Sequence, residues 1–148
     1  MESTTTVRQV LEKKGYDIWW IDPDATVYEA LELMAEKNIG AVLVMKEGEL
    51  VGILSERDYA RKVILKGRFS RETLVRDIMS ERVVCVRPDQ TLDECMALMT
   101  EKRIRHLPVI ENNRVIGVIS IGDVVKAIIS EQAFVIQQLE NYIIGRAA

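Results

Sequence analysis

Gly52-Ile53-Leu54-Ser55-Glu56-Arg57-Asp58 returns as Gly117-Val118-Ile119-Ser120-Ile121-Gly122-Asp123, an interval of 65 residues (117 − 52). Working outward, the same interval separates Pro23-Asp24-Ala25-Thr26 from Pro88-Asp89-Gln90-Thr91, and Lys37-Asn38-Ile39 from Lys102-Arg103-Ile104. A constant offset without a gap marks two copies of one supersecondary unit, and such copies bury a shared face against each other. The lead-in repeats as well. Val7-Arg8-Gln9-Val10-Leu11 matches Val75-Arg76-Asp77-Ile78-Met79 at an offset of 68 (75 − 7), so the first copy carries three extra residues before its first strand.

Within the first copy, Val7 to Lys14 reads as a short helix closed by Gly15. Ile18-Trp19-Trp20-Ile21 reads as a strand stopped by Asp22-Pro23-Asp24. Thr26 caps a helix whose apolar residues Val27, Ala30, Leu31, Met34 and Ala35 share one face. Ala41 to Met45 is an apolar run too short for a helix and reads as a buried strand. Lys46-Glu47-Gly48-Glu49 turns it into a returning strand, Leu50 to Leu54, and Ser55 caps a helix reaching about Leu65. The second copy predicts the same order: strand Val83 to Val86, helix Leu92 to Lys102, strand Leu107 to Ile110, turn Glu111 to Arg114, strand Val115 to Ile119, and a Ser120-capped helix to Ile129. The expected organisation is a first unit over 7–65, a linker over 66–74, a second unit over 75–129, and an amphipathic terminal helix and tail over 130–148. Phe134, Val135, Leu139, Tyr142 and Ile143 give that helix its apolar face. The predicted class is α/β (α+β): two tandem β-α-β-β-α units packed about a pseudo-twofold axis, with a terminal helix.

Composition narrows the function. A chain of 148 residues, 48 % hydrophobic with three prolines, can bury a sizeable core. Its formal charge of −3 argues against a general nucleic-acid binder, and no apolar run approaches the roughly 18 residues of a membrane span. The N-terminal stretch lacks the charged-then-apolar layout of a signal peptide. Cys85 and Cys95 form no CxxC and cannot complete a zinc set with the lone His106, so no metal is expected. Both read as buried thiols in a reducing cytoplasm. No nucleophile–base pair, metal cluster or Walker loop is visible, which argues against an enzyme.

The strand–helix–strand–strand–helix unit in tandem resembles the CBS domain pair, or Bateman module. The resemblance rests on the Pro-Asp-x-Thr opening, the Lys-x-Ile helix end, Arg105-His106-Leu107-Pro108-Val109, the two Gly-x-x-Ser-x-x-Asp motifs, and Val75-Arg76-Asp77-Ile78-Met79 as the lead into a second unit. It implies a regulatory, signal-transducing module that binds an adenosine-containing ligand: AMP foremost, with NAD or ATP as alternatives and ADP and S-adenosylmethionine in the same class. It also implies a homodimer and an effector protein that this chain does not identify.

Ser55-x-x-Asp58 and Ser120-x-x-Asp123 sit where a strand feeds a helix. A carboxylate there can accept hydrogen bonds from both ribose hydroxyls, and the resemblance gives Asp58 and Asp123 that role, with Ser55 and Ser120 beside them. Ser-x-x-Asp is equally the pattern of a capping box closing the helix's own N–H groups. The copies differ in their cations. Arg105 and His106 stand where the first copy has Gly40 and Ala41, while Arg57 stands where the second has Gly122. A pocket at the seam could draw phosphate contacts from both halves, though Arg105 also suits a solvated helix end. The resemblance offers Ile18–Trp20, Val83–Cys85, Gly40–Val42 and His106–Pro108 (with Leu107 between) as walls for the base. Trp19 and Trp20 face opposite sides of a strand. Gly52 and Gly117 predict a close backbone approach within the strand pair. The competing reading is a ligand-independent interaction or dimerisation domain.

Overall fold

The computed structural model describes residues 3–144. In the first copy, β1 (Trp20–Ile21) pairs parallel with β2 (Ala41–Lys46), which pairs antiparallel with β3 (Glu49–Ser55). The intervening α2 (Val27–Lys37) starts at Thr26, whose hydroxyl accepts from the Glu29 amide, and ends at Asn38 in the left-handed region. The second copy repeats this with α5 (Leu92–Lys102), β4 (His106–Glu111) and β5 (Arg114–Ser120). Both hairpins bulge at the same place, between Val44 and Met45 and between Val109 and Ile110. Both turn through two residues of positive φ, Glu47-Gly48 and Asn112-Asn113, as the twist of a two-residue hairpin loop requires.

The first strands fall short of expectation. Only Trp20–Ile21 pairs in the first copy, and the strand expected over Val83 to Val86 is reduced to a bridge between Val86 and Val109. Proline explains the second loss. In the first copy the Leu43 amide donates to the Trp19 carbonyl at 3.1 Å. The position equivalent to Leu43 is Pro108, which has no N–H, so the matching bond to Val84 cannot form. Pairing survives where Val86 donates to the Pro108 carbonyl (2.9 Å) and accepts from the Ile110 amide (2.8 Å).

The helices after the third strands also differ from expectation. Ser55 starts α3 (Glu56–Tyr59), which loosens into a π-helical turn, Ala60–Ile64, closed by a Leu65 amide to Ala60 carbonyl bond of 3.1 Å. Ser120 starts α6 (Ile121–Ile143), which runs without a break through the boundary expected at 129/130. Residues 145–148 of the expected tail lie outside the described residues.

The lead-ins are exchanged between the copies. The first, α1 (Val7–Lys14), buries Val7, Val10 and Leu11 with Val86, Leu92, Leu107, Ile119 and Val124 of the second copy. The second, the single turn α4 (Val75–Ile78), buries Val75 and Ile78 with Val27, Val42, Leu54 and Val63 of the first. Backbone bonds fix both crossings: Val7 to Gln90 (2.8 Å) and Leu92 to Thr5 (3.0 Å), Val27 to Thr73 (2.8 Å) and Val75 to Ala25 (2.8 Å). Each core therefore contains residues from both ends of the repeat.

The two glycines do mark close approaches, but to the lead-ins rather than to the partner strand. A Cβ on Gly52 would lie 2.7 Å from Met79 Sδ and 3.0 Å from the Ser80 carbonyl. One on Gly117 would lie 2.8 Å from Leu11 Cδ2. Ser80 cannot retreat easily, because it exchanges backbone bonds with Ile53 (2.9 and 3.0 Å). Gly52→Ala is therefore expected to destabilise by about 1–3 kcal/mol through overpacking. A urea midpoint unchanged from the parent would refute this.

Candidate functional site

Two cavities lie at the seam, each taking its aspartate from one copy and its opposing wall from the other. The larger, about 600 Å³, joins Ser55, Arg57 and Asp58 to Val83, Val84 and the run Arg103 to His106. The smaller, about 400 Å³, joins Ser120 and Asp123 to Trp19 and the run Asn38 to Ala41, with Lys14 and Asp17 at its edge. Gly40 and His106 border both. In both, the end of one copy's third strand faces the helix end of the other copy.

Both aspartates make capping boxes. Asp58 Oδ2 accepts from the Ser55 amide (3.0 Å) and hydroxyl (3.1 Å), while the Asp58 amide donates to Ser55 Oγ (3.2 Å). Asp123 Oδ2 accepts from the Ser120 amide at 2.8 Å, and its own amide donates to Ser120 Oγ at 3.2 Å. The cap thus uses one carboxylate oxygen. Lys62 Nζ stands 3.3 Å from Asp58 Oδ1, whereas Lys14 Nζ binds Asp123 on Oδ2 at 2.6 Å. Capping and ligand binding can therefore coexist on these carboxylates, because a second oxygen lies outside the cap. Burial works against an ionised Asp123, but the Lys14 hydrogen bond, the Ser120 amide and the Lys14 charge outweigh it and hold the carboxyl below its ordinary value.

The cavities differ in charge. Six basic side chains border the Asp58 cavity (Arg57, Arg61, Lys62, Arg82, Arg103 and Arg105), against Glu56 and Asp58. The Asp123 cavity has Lys14 against Asp17 and Asp123. Arg57 also ties the copies together, its Nη1 donating to the Arg103 carbonyl at 3.1 Å. Arg103 itself caps α5 with φ 55°, a conformation uncommon for a non-glycine residue. His106, at the shared wall, is pulled below its ordinary value by burial first, then by Lys14 and Arg105, with Asp123 acting in the other direction. Burial and the neighbouring cations thus favour the neutral imidazole, and a nearby anion would favour the charged form.

Of the residues expected from sequence, the structure brings Ser55, Arg57, Asp58, Val83, Arg105, His106 and Gly40 together at one cavity. Ser120, Asp123, Gly40, Ala41 and His106 meet at the other. Ile18, Trp20, Leu107 and Pro108 line neither. Leu107 and Pro108 are buried within β4. Trp20 points outward, 54 % exposed, and strand alternation gives the cavity to Trp19 instead. The Trp19 ring also carries Lys37 Nζ 4.4 Å from its centroid. Sequence reasoning missed Arg61, Lys62, Arg82 and Arg103. The first two follow Arg57 and Asp58 at i+4, a spacing that could have flagged them. Lys14 was hidden by the exchange of lead-ins. Burial raises both thiols, Cys95 to about 11, which leaves them poor nucleophiles.

A duplicated β-α-β-β-α pair with crossed lead-ins and two aspartate-bearing clefts at its seam defines a tandem-repeat module. The chain belongs to the CBS domain family, whose model matches residues 7–65 and 75–130. It is 44 % identical to the CBS domain-containing protein CBSX3, mitochondrial, of Arabidopsis thaliana, over 96 % of this chain and 73 % of that one. The structure of a protein described as a signal-transduction protein with CBS domains, from Burkholderia ambifaria, superposes with a TM-score of 0.84 at 51 % identity, covering 86 % of this chain and 96 % of that one. The CBS domain pair of protein MJ0100, crystallised with 5′-methylthioadenosine and S-adenosyl-L-methionine, shares the fold at 22 % identity (TM-score 0.76, 86 % of this chain and 98 % of that one). CBS-domain pairs are regulatory rather than catalytic modules. Among the described residues, no helix is long and apolar enough to cross a membrane.

Proposed function

We propose that this chain is a regulatory module that binds a phosphorylated adenosine in the Asp58 cavity, AMP foremost with NAD or ATP as alternatives, and passes its occupancy to an effector protein or to its own assembly. The observation that carries this reading is the meeting of Asp58 and Arg57 from the first copy with Arg82, Arg103 and Arg105 from the second. In this reading Asp58 accepts from the ribose hydroxyls, the base lies against Val83, Val84 and Ile104, and the phosphates reach the arginines, whose planar forks suit phosphate oxygens. Asp123, Ser120 and Ala41 frame a second, less basic cleft, so one nucleotide per chain dominates. Free thiols at Cys85 and Cys95 fit a reducing compartment such as the cytoplasm; the name of the Arabidopsis relative assigns that protein to mitochondria.

Titration with adenosine, AMP, ADP, ATP, NAD and S-adenosylmethionine tests the proposal. Affinity is expected to rise sharply from adenosine to AMP. At a hundredfold excess over Kd, AMP should stabilise the fold by about 2.7 kcal/mol, read as a higher Tm. No binding of any of the six at millimolar concentration would sink the reading and favour the ligand-independent interaction domain, in which the capping boxes are the whole role of Asp58 and Asp123.

A further inference from the structure

Each lead-in brings a cation to one of the cavities, and the two cations are used differently. Lys14, in the last turn of α1, has Arg82 as its counterpart at the lead-in offset of 68 (82 − 14). Lys14 borders the Asp123 cavity and Arg82 the Asp58 cavity. α1 stays helical as far as Lys14, whereas α4 stops at Ile78, so Arg82 is not carried on a helix. Among the described residues Arg82 makes no ion pair, and the charged partner of Asp58 is Lys62, four residues on, at 3.3 Å. Lys14 is tied more firmly. Its Nζ donates to Asp123 Oδ2 and to the Val118 carbonyl, each at 2.6 Å, and both residues line the smaller cavity. Oδ2 also accepts from the Ser120 amide at 2.8 Å. Two donors thus fill that oxygen, and the ammonium neutralises the charge that would draw ribose hydroxyls to the other.

We propose that Lys14 is an internal occupant of the Asp123 cavity, keeping it closed to a nucleoside until the side chain is displaced. The inference rests on the ribose role given above to the two aspartates. It makes the second cavity latent, and it assigns that state to one residue of α1 rather than to the shape of the cleft. The displaced ammonium has a place to go. Lys14 and Asp123 also border a groove of about 860 Å³ between α1 and α6, where Glu12 and Glu131 supply carboxylates. The pair therefore stands where the cavity meets the groove. Once Lys14 has left, Asp17, Trp19, Asp123 and His106 remain on the cavity wall. Two carboxylates beside an aromatic face suit an uncharged nucleoside better than a phosphorylated one, in contrast to the arginine-rich Asp58 cavity.

Isothermal calorimetry with adenosine on the full chain tests the latch. Lys14→Met keeps most of the side chain's length and removes its charge and donors, and the fold should hold because Lys14 is exposed. Adenosine is expected to bind this variant about tenfold more tightly than the parent, since a charge-assisted bond no longer competes for Asp123. Lys14→Arg, which restores charge and donors, should behave as the parent. Adding Asp123→Ala to Lys14→Met should abolish the gain. An adenosine affinity unchanged in Lys14→Met, or a gain that survives Asp123→Ala, would overturn the proposal. AMP titration of the same proteins separates it from the Asp58 reading. AMP binding by the parent with no adenosine gain in Lys14→Met would sink the latch alone. An adenosine gain in a chain whose parent binds no AMP would sink the Asp58 reading alone.

Discussion

Reversing two charges, Arg57→Glu with Arg105→Glu, is expected to lower AMP affinity at least a hundredfold while leaving the ligand-free Tm within about 2 °C of the parent. Charge-assisted hydrogen bonds contribute about 1.5–3 kcal/mol each, so losing two corresponds to about a hundred- to ten-thousandfold in Kd, before the repulsion of the new carboxylates is counted. The fold should tolerate the change because both side chains are exposed. The Arg57 bond to the Arg103 carbonyl is a surface contact outside both buried cores. Reversal of either residue alone should cost about ten- to a hundredfold, since Arg57 and Arg105, though from opposite copies, border one cleft. Asp123→Ala is the discriminating control. It belongs to the other cavity, and it should cost about 1 kcal/mol of stability as a lost cap with little effect on the principal site. Calorimetric titration reads the parent and all four variants. Equal AMP affinity in the double-reversed variant and the parent would remove the phosphate role of the Asp58 cavity.

That cavity was half legible in the sequence. The constant interval predicts equivalent scaffolds, and the unequal cations at Arg57, Arg105 and His106 predict unequal pockets. What the interval cannot say is which copy's wall faces which copy's aspartate, because that depends on how the units dock. The structure crosses them, so Arg57 and Arg105 converge where a reading within one copy keeps them apart. The tryptophans show a second limit. Alternation says that Trp19 and Trp20 face opposite ways, but only the pairing of Trp20 with Leu43 decides which one turns into the cleft. Local chemistry was more transparent. Thr26, Ser55 and Ser120 cap the helices expected of them, and Thr91 does the same at the repeat position of Thr26. The loss of the Val83 to Val86 strand was also written in the chain, at Pro108 across the sheet rather than in the strand itself.

The exchange of lead-ins was the least legible feature and leads to the second large effect. Leu11 lies outside the gap-free repeat, on an eight-residue helix too short to hold by itself, yet it is fully buried in the second copy's core. Leu11→Ala is expected to cost about 2–5 kcal/mol, the range for emptying a well-packed site, or about 5–15 °C in Tm. If α1 were a mere extension, the cost would match that of an exposed substitution such as Glu12→Ala, within about 0.5 kcal/mol. Gly117 makes the assignment specific. With Leu11 present, the methyl of Gly117→Ala would sit 2.8 Å from Leu11 Cδ2 and should destabilise. With Leu11 cut back to alanine, the same methyl enters the space vacated and should become neutral or stabilising. The double-mutant cycle should therefore show a coupling of about 1–2 kcal/mol, positive in the sense that the second change partly repairs the first. Because Lys14 binds Asp123 from the last turn of α1, loosening this helix should also free that carboxylate and alter the smaller cavity. Additive effects of Leu11→Ala and Gly117→Ala in urea denaturation would mean that the contact between α1 and the second copy's sheet carries no weight.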